Sequence, residues 1–284
     1  MTTTATFTWV GGSGNWDTAS DWNPLGPPTA SSLASIGGTT TEAITVNNAQ
    51  AVTAVVLDNP KGAVDIGGAT GATLTVAKTF SLEEGSLGIG GLGTLDAAHI
   101  RIAAPKGSTT PTNGVLFFLG SGTIGATVLN NGTIKAEGAA GSTVEFERSV
   151  IGNGRGSADI SGGGTLEFAK KVVQNIDFGP GGGTLSLLDP TAFDAGGSGS
   201  IAGFAAGDTI SLAGNWAFGA LTNPTSGTTH LTLTSGTMAH TFDFIGAFSQ
   251  SDFTIASGAT TTIKFALQLK RKRVDACGSR RLSY

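Results

Sequence analysis

The chain has 284 residues, of which 45 are glycine, about 16 % against the ~7 % usual in globular proteins, while charged residues make up only 13 %. At 39 % hydrophobic it is too apolar for a disordered chain, and its glycines lack the every-third-residue spacing of collagen, so a turn-rich, all-β fold remains. The net charge of −4 conceals a basic C-terminus: residues before 270 include ten basic and nineteen acidic side chains, a net −9, which excludes broad attraction to a nucleic-acid backbone.

Residues 1–38 read as a compact N-terminal cap. Trp9, Trp16 and Trp22 place three of the four tryptophans among Gly11, Gly12, Gly14, Asn15, Asp17, Asp21, Asn23 and Pro24. The stretch from Thr6 to Val10 alternates polar and apolar residues as a half-buried strand does, and Gly11 to Gly14 supply turn chemistry. The opening residues carry neither a basic nor an apolar leader segment, so export by a cleaved signal is not expected from them.

From 39 to 190 the chain is a succession of short β-type runs, including 44–46, 52–57, 74–76, 99–102, 115–119, 143–146 and 166–168, separated by Gly, Asn, Asp or Ser. A Gly-Thr-[Leu/Ile] unit begins at Gly93, Gly122, Gly132, Gly164 and Gly183, in loose multiples of about ten residues rather than a fixed period. Each run is too short to bury its apolar face alone, whereas coils of roughly 20 residues stacked at about 4.8 Å bury a continuous Val/Ile/Leu core. A parallel β-solenoid is therefore the leading expectation, with an antiparallel β-sandwich as the alternative.

Residues 191–266 read as a second, smaller β module, with strand-like runs around 209–212, 231–233, 242–245 and 260–265 and a hairpin-type connection at 223–227. Residues 267–284 form a basic tail, expected to be disordered, that contains the only cysteine, Cys277, so no intrachain disulfide exists. No run of 18 apolar residues predicts a transmembrane helix.

The motif Trp9-Val-Gly-Gly-Ser-Gly-Asn-Trp16, followed by Trp22-Asn23-Pro24, resembles the opening of autotransporter-like passenger regions and related repeat-rich, exported bacterial adhesins. The stretches 130–136, 162–168 and 199–212 resemble the final coils and closing module of the same proteins. The resemblance implies a right-handed parallel β-helix, a bacterial surface or extracellular location, and a structural or adhesive role without catalysis or cofactor. It departs at the C-terminus, where the basic tail stands in place of a membrane barrel, so a fragment or an altered end is expected alongside a genuine tail.

Several residue groups bear on function. Trp9, Trp16 and Trp22 offer a platform for sugar rings, with Asn15 and Asp17 to bond hydroxyls; the competing reading is that the same indoles seal the end of the solenoid. Asp194 and Asp208 are the calcium candidates, although no Gly-Gly-x-Gly-x-Asp repeat is present. The Gly88–Gly93 and Gly120–Gly125 stretches match a dinucleotide glycine pattern but open no helix, and are read as turns. A polysaccharide lyase or hydrolase is the enzymatic alternative; it would draw on Glu83, Glu84, Glu145, Glu147, Arg101, Arg148, Arg155, His99, His230 or His240. Such an enzyme requires a groove in which carboxylates, or a carboxylate and an arginine, converge. Carbohydrate or cell-surface partners are expected of the adhesive reading; the oligomeric state is left open.

Overall fold

The computed structural model describes residues 4–67, 71–90, 93–103, 114–118, 120–137, 141–152, 156–193, 199–223 and 227–266. The tail and its expected disorder lie outside the described residues.

Through its first three-quarters the chain winds as a parallel β-solenoid, each coil contributing one rung to each of three sheets. In the first sheet, Thr6–Trp9 pairs in parallel with Leu33–Gly37, which pairs with the start of Ala54–Ile66, and the ladder continues through 80–82 and 100–102 to Thr127–Asn130 and Val150–Ile151. The second sheet stacks Glu42–Val46, 62–66, 86–89, Val115–Phe118, Thr133–Ala136, Ser157–Ile160 and Asn175–Phe178. The third runs from Gln50–Val52 through 74–76 and 94–97 to Gly122–Ile124, Thr143–Phe146, Thr165–Phe168, Thr184–Leu187 and Thr209–Ala213. The parallel register excludes the sandwich. Parallel rungs also reach into both flanking segments, at Thr6–Trp9 and at Thr209–Ala213.

The core is built by columns of identically placed side chains. Ala34, Val55, Phe80, Ile100, Val128, Val150, Val172 and Phe193 form one; Ile44, Val64, Leu87, Leu116, Ile134, Ala158, Ile176 and Ile201 form another, and all are buried. Alternate residues point to solvent, because side chains on a strand alternate faces. In the first column the sequence separation between rungs varies from 20 residues (Phe80 to Ile100) to 28 (Ile100 to Val128), and in the second from 18 (Leu116 to Ile134) to 29 (Leu87 to Leu116), yet the inward register is kept. Slack is taken up at the corners, where longer loops cost little extra closure entropy.

Some corners are continuous rather than broken: Ala54–Ile66 runs through two sheets and Thr73–Ile89 through all three, each as one bent strand. Gly85 makes one such bend at φ +91°, with Asn59 O 2.4 Å from where a Cβ would stand. Buried asparagines hold others. Asn59 Oδ1 accepts the Lys61 amide and Asn130 Oδ1 the Gly132 amide, each at 3.0 Å, while Asn130 Nδ2 donates to Gln174 Oε1 at 2.8 Å. Full bonding is what makes such burial affordable.

The C-terminal module closes the far end by switching to antiparallel pairing. Thr260–Phe265 lies antiparallel to Thr209–Ala213, the last rung of the third sheet, and to Phe253–Ala256. Ala217–Thr222, Thr228–Ser235 and Met238–Ile245 form a meander, attached to the second sheet where Ile201 pairs with Phe244. Phe193 ends its column stacked on Phe242 at 5.6 Å, and Phe178, Phe204, Phe244, Phe253, Phe248 and Phe265 continue the aromatic packing. No helix among the described residues is long and apolar enough to cross a membrane.

Candidate functional sites on the solenoid surface

The tryptophans lie at the N-terminal end of the stack. Gly14 and Asn15 pair with Ile44 and Thr45, and the Trp16 amide donates to Thr45 O at 2.9 Å, so Trp16 continues the rung above Val46. Trp9 faces Trp22 in a short antiparallel pair, and Trp22 meets Trp9 and Trp16 edge-on, each at 5.0 Å. Trp22 Nε1 donates to Trp16 O at 2.7 Å and Trp9 Nε1 to Gly12 O at 3.0 Å; Trp16 Nε1 is buried without an acceptor among the described residues. Exposure is 3 %, 1 % and 2 % for Trp9, Trp16 and Trp22, which leaves no indole face for a sugar ring to cover. The expected aromatic platform is thus corrected: these rings are the end of the core. Asn15 and Asp17 do lie at the surface, where Asn15 Oδ1 accepts from Asn47 at 2.9 Å and Asp17 Oδ2 from Asn48 at 3.1 Å.

Of the calcium candidates, Asp194 lies outside the described residues. Asp208 is buried in a turn, its Oδ2 accepting the Ala205 amide at 2.7 Å. Burial pushes its carboxyl above the usual range, against the lowering pull of the Ala205 and Gly183 amides. No group of three or more His, Cys, Asp or Glu side chains converges among the described residues.

The residues named for an enzyme are dispersed. Glu83 is ion-paired with Arg101 on adjacent rungs of the first sheet and accepts from Ser81. His230 and Asp243 face each other across the closing meander, His99 lies exposed on the first sheet, and His240 packs edge-on against Phe242. Arg155 lies outside the described residues. Glu145 and Glu147 flank the buried Phe146 and point outward, as the alternation requires. One convergence does occur. At the corner between the third and first sheets, Thr127, Glu147, Arg148, Ser149 and Lys170 line a groove of about 460 Å³, and Arg148 also lines a second of about 350 Å³ beside Asp96. The Arg148 guanidinium is held there by its Nε donating to Gly125 O at 2.8 Å.

The outward faces carry polar ladders. On the third sheet Glu145, Glu167, Ser186 and Ser211 succeed one another, and Ser186 donates to Glu167 at 2.8 Å. On the second sheet the outward column is Thr45, Asp65, Gly88, Phe117, Lys135, Asp159 and Asp177. Burial raises the carboxyl pKa values of Asp65, Asp159 and Asp177; at Asp159 the neighbouring Asp177 adds to the rise, and the Ser157 hydroxyl and Lys135 oppose it. Gly88, read from the sequence as part of a turn, lies within a strand of this column, and beside it opens a cavity of about 420 Å³ lined by Thr45, Asn47, Asp65, Gly67, Gly90 and Phe117. Nothing in the sequence marked that group, because its members come from separate coils with unequal spacing.

The chain matches no protein-family model, and no curated protein sequence is significantly similar to it.

Proposed function

We propose that the protein is an exported structural or adhesive element of a bacterial surface or extracellular matrix, acting by display rather than by turnover. The observation that supports this best is the outward ladders: a rigid β-solenoid repeats Thr, Ser, Asn, Asp and Glu side chains at strand spacing of about 4.8 Å, over a core closed at both ends by aromatic clusters. Such an array makes many weak contacts at once, so binding depends on multivalency. Carbohydrate or other cell-surface components are the partners that such contacts suit. The test is adhesion of protein-coated beads to a panel of polysaccharides and to cells. Retention of beads, with the free protein binding weakly, is the expected result; no retention on any surface overturns the adhesive reading.

The Glu147–Arg148–Lys170 groove favours one second reading, a polysaccharide-cleaving enzyme in which Glu147 is acid or base and the cations stabilise developing negative charge. Release of reducing ends or unsaturated products from acidic polysaccharides, abolished by Glu147→Gln, would replace display with catalysis.

A further inference from the structure

The second sheet's outward column is interrupted once, at Gly88, between Asp65 on one rung and Phe117 on the next. A Cβ on Gly88 would stand 2.3 Å from Asp65 Oδ1 and 2.8 Å from Phe117 Cζ, so carboxylate and ring lean over the same bare stretch of backbone from opposite sides. Gly90 leaves the adjoining corner open, with nothing within 4 Å of where its Cβ would stand, and Thr45 and Asn47 form the rim. At about 420 Å³ the space falls within the range of small-ligand sites.

Its chemistry is unbalanced in one direction. Asp65 is half-buried, and no hydrogen bond or ion pair to its carboxylate is formed among the described residues. Lys135, the cation of the same column, lies beyond Phe117, three rungs and about 14 Å away along the stack. A carboxylate partly withdrawn from water without a counter-charge carries a cost, which a ligand that brings the positive charge reduces. Phe117 adds a ring whose face attracts a cation and whose edge and face accept C–H surface. The hydroxyl of Thr45 and the amide of Asn47 suit the hydroxyl groups of a sugar rather than a bare alkyl amine.

We propose that the notch over Gly88 binds a hexosamine unit with a free amino group, its ammonium on Asp65, its apolar ring face on Phe117 and its hydroxyls toward Thr45 and Asn47. This deepens the display reading, on which the choice of a sugar over another amine rests. A single charged foothold gives the polar array a preference for deacetylated amino-sugar polymers over neutral ones.

The test is saturation-transfer NMR and titration of the full-length protein with glucosamine, N-acetylglucosamine and glucose, together with adhesion of protein-coated beads to chitosan and to a neutral glucan. Glucosamine is expected to bind at least ten-fold more tightly than the other two sugars. Asp65→Asn, which removes charge without changing shape, is expected to abolish that preference, and Phe117→Leu to weaken all binding at the notch several-fold, with both circular dichroism spectra unchanged. Equal binding of the three sugars, no binding of glucosamine at millimolar concentration, or full binding by a folded Asp65→Asn variant overturns the site. If glucosamine fails while beads still adhere to neutral glucan, only this site is refuted; if adhesion fails on every surface, the display reading falls as well.

Discussion

Phe146 is the sharpest probe of the stacked core. It is 0 % exposed, sits between Ile124 and Phe168 in the inward column of the third sheet, stacks on Phe168 at 5.4 Å with 21° between planes, and meets Phe118 edge-on at 6.1 Å. Truncation to alanine removes a fully buried ring from a place the flanking coils cannot collapse into without shifting every rung, so the upper part of the usual range, about 4–5 kcal/mol, is expected. Phe146→Leu retains most of the buried apolar surface and loses the two ring pairs, each worth about 0.5–1.5 kcal/mol, giving about 1–3 kcal/mol. Urea unfolding followed by far-ultraviolet circular dichroism measures both, and tryptophan fluorescence reports in parallel, dominated by the three indoles at the N-terminal end. A cooperative stack moves both signals together; separation of the two would show that coils unfold in blocks, as nearest-neighbour coupling permits. An alanine variant losing less than about 1 kcal/mol, or an alanine and a leucine variant of equal cost, would refute the packing argument.

Gly93→Ala is expected to destabilise by about 1–3 kcal/mol in the same assay, since its Cβ would meet Ile66 O at 2.2 Å, whereas Gly12→Ala, with nothing within 4 Å, should be neutral or slightly stabilising. Trp22→Phe should cost more than Trp16→Phe, because Trp22 loses a 2.7 Å hydrogen bond to Trp16 O while Trp16 sheds a buried N–H that has no acceptor among the described residues; equal unfolding midpoints would contradict this. Asp159 and Asp177 face each other on adjacent rungs with carboxyl pKa values held above the usual 3.8, chiefly by burial. The folded state therefore takes up these protons before the unfolded chain does, so their contribution to stability grows as pH falls from neutral toward about 4 and is lost as pH rises through the folded pKa values. Asp177→Asn should raise the urea midpoint at neutral pH and flatten its pH dependence; a steeper dependence would reverse the sign of the argument.

The solenoid was legible because the inward residues obey a strict alternation within each run, and because Gly-Thr-[Leu/Ile] marks where strands leave a crowded corner. Gly93, Gly132 and Gly183 each have a backbone oxygen or side-chain carbon within 2.5 Å of the missing Cβ, which is why glycine stands there. The bent strands were not legible: 58–62 and 77–86 contain Pro, Gly and charged residues that read as loops, yet each strand continues through them, the ladder shifting register between Asp58 and Ala63 and between Val76 and Thr79. The tryptophan motif showed an aromatic cluster but not which way its rings face, since burial depended on Trp16 entering register with Val46. The Gly88 notch was invisible for a related reason. Thr45, Asp65, Gly88 and Phe117 are neighbours only through pairing, and their spacings of 20, 23 and 29 residues share no period. Corner loops vary at little energetic cost, so they erase the sequence repeat that the core preserves.

The direction of the ladders also decides how the protein carries load. Rungs follow one another along the solenoid from Thr6–Trp9 to Thr209–Ala213, so their hydrogen bonds lie along the long axis. Tension between the two ends pulls on one interface between coils at a time, and the stack opens as a zipper rather than by shear. Each event pays out one coil, 20 to 28 residues in the first sheet, or roughly 70–95 Å of extended chain. Tearing begins at an end, where the Trp9–Trp16–Trp22 cluster or the phenylalanine-rich module must first be dislodged. Pulled at its two ends, a stack of this design yields in instalments, lengthening and dissipating work while the coils behind the tear remain folded.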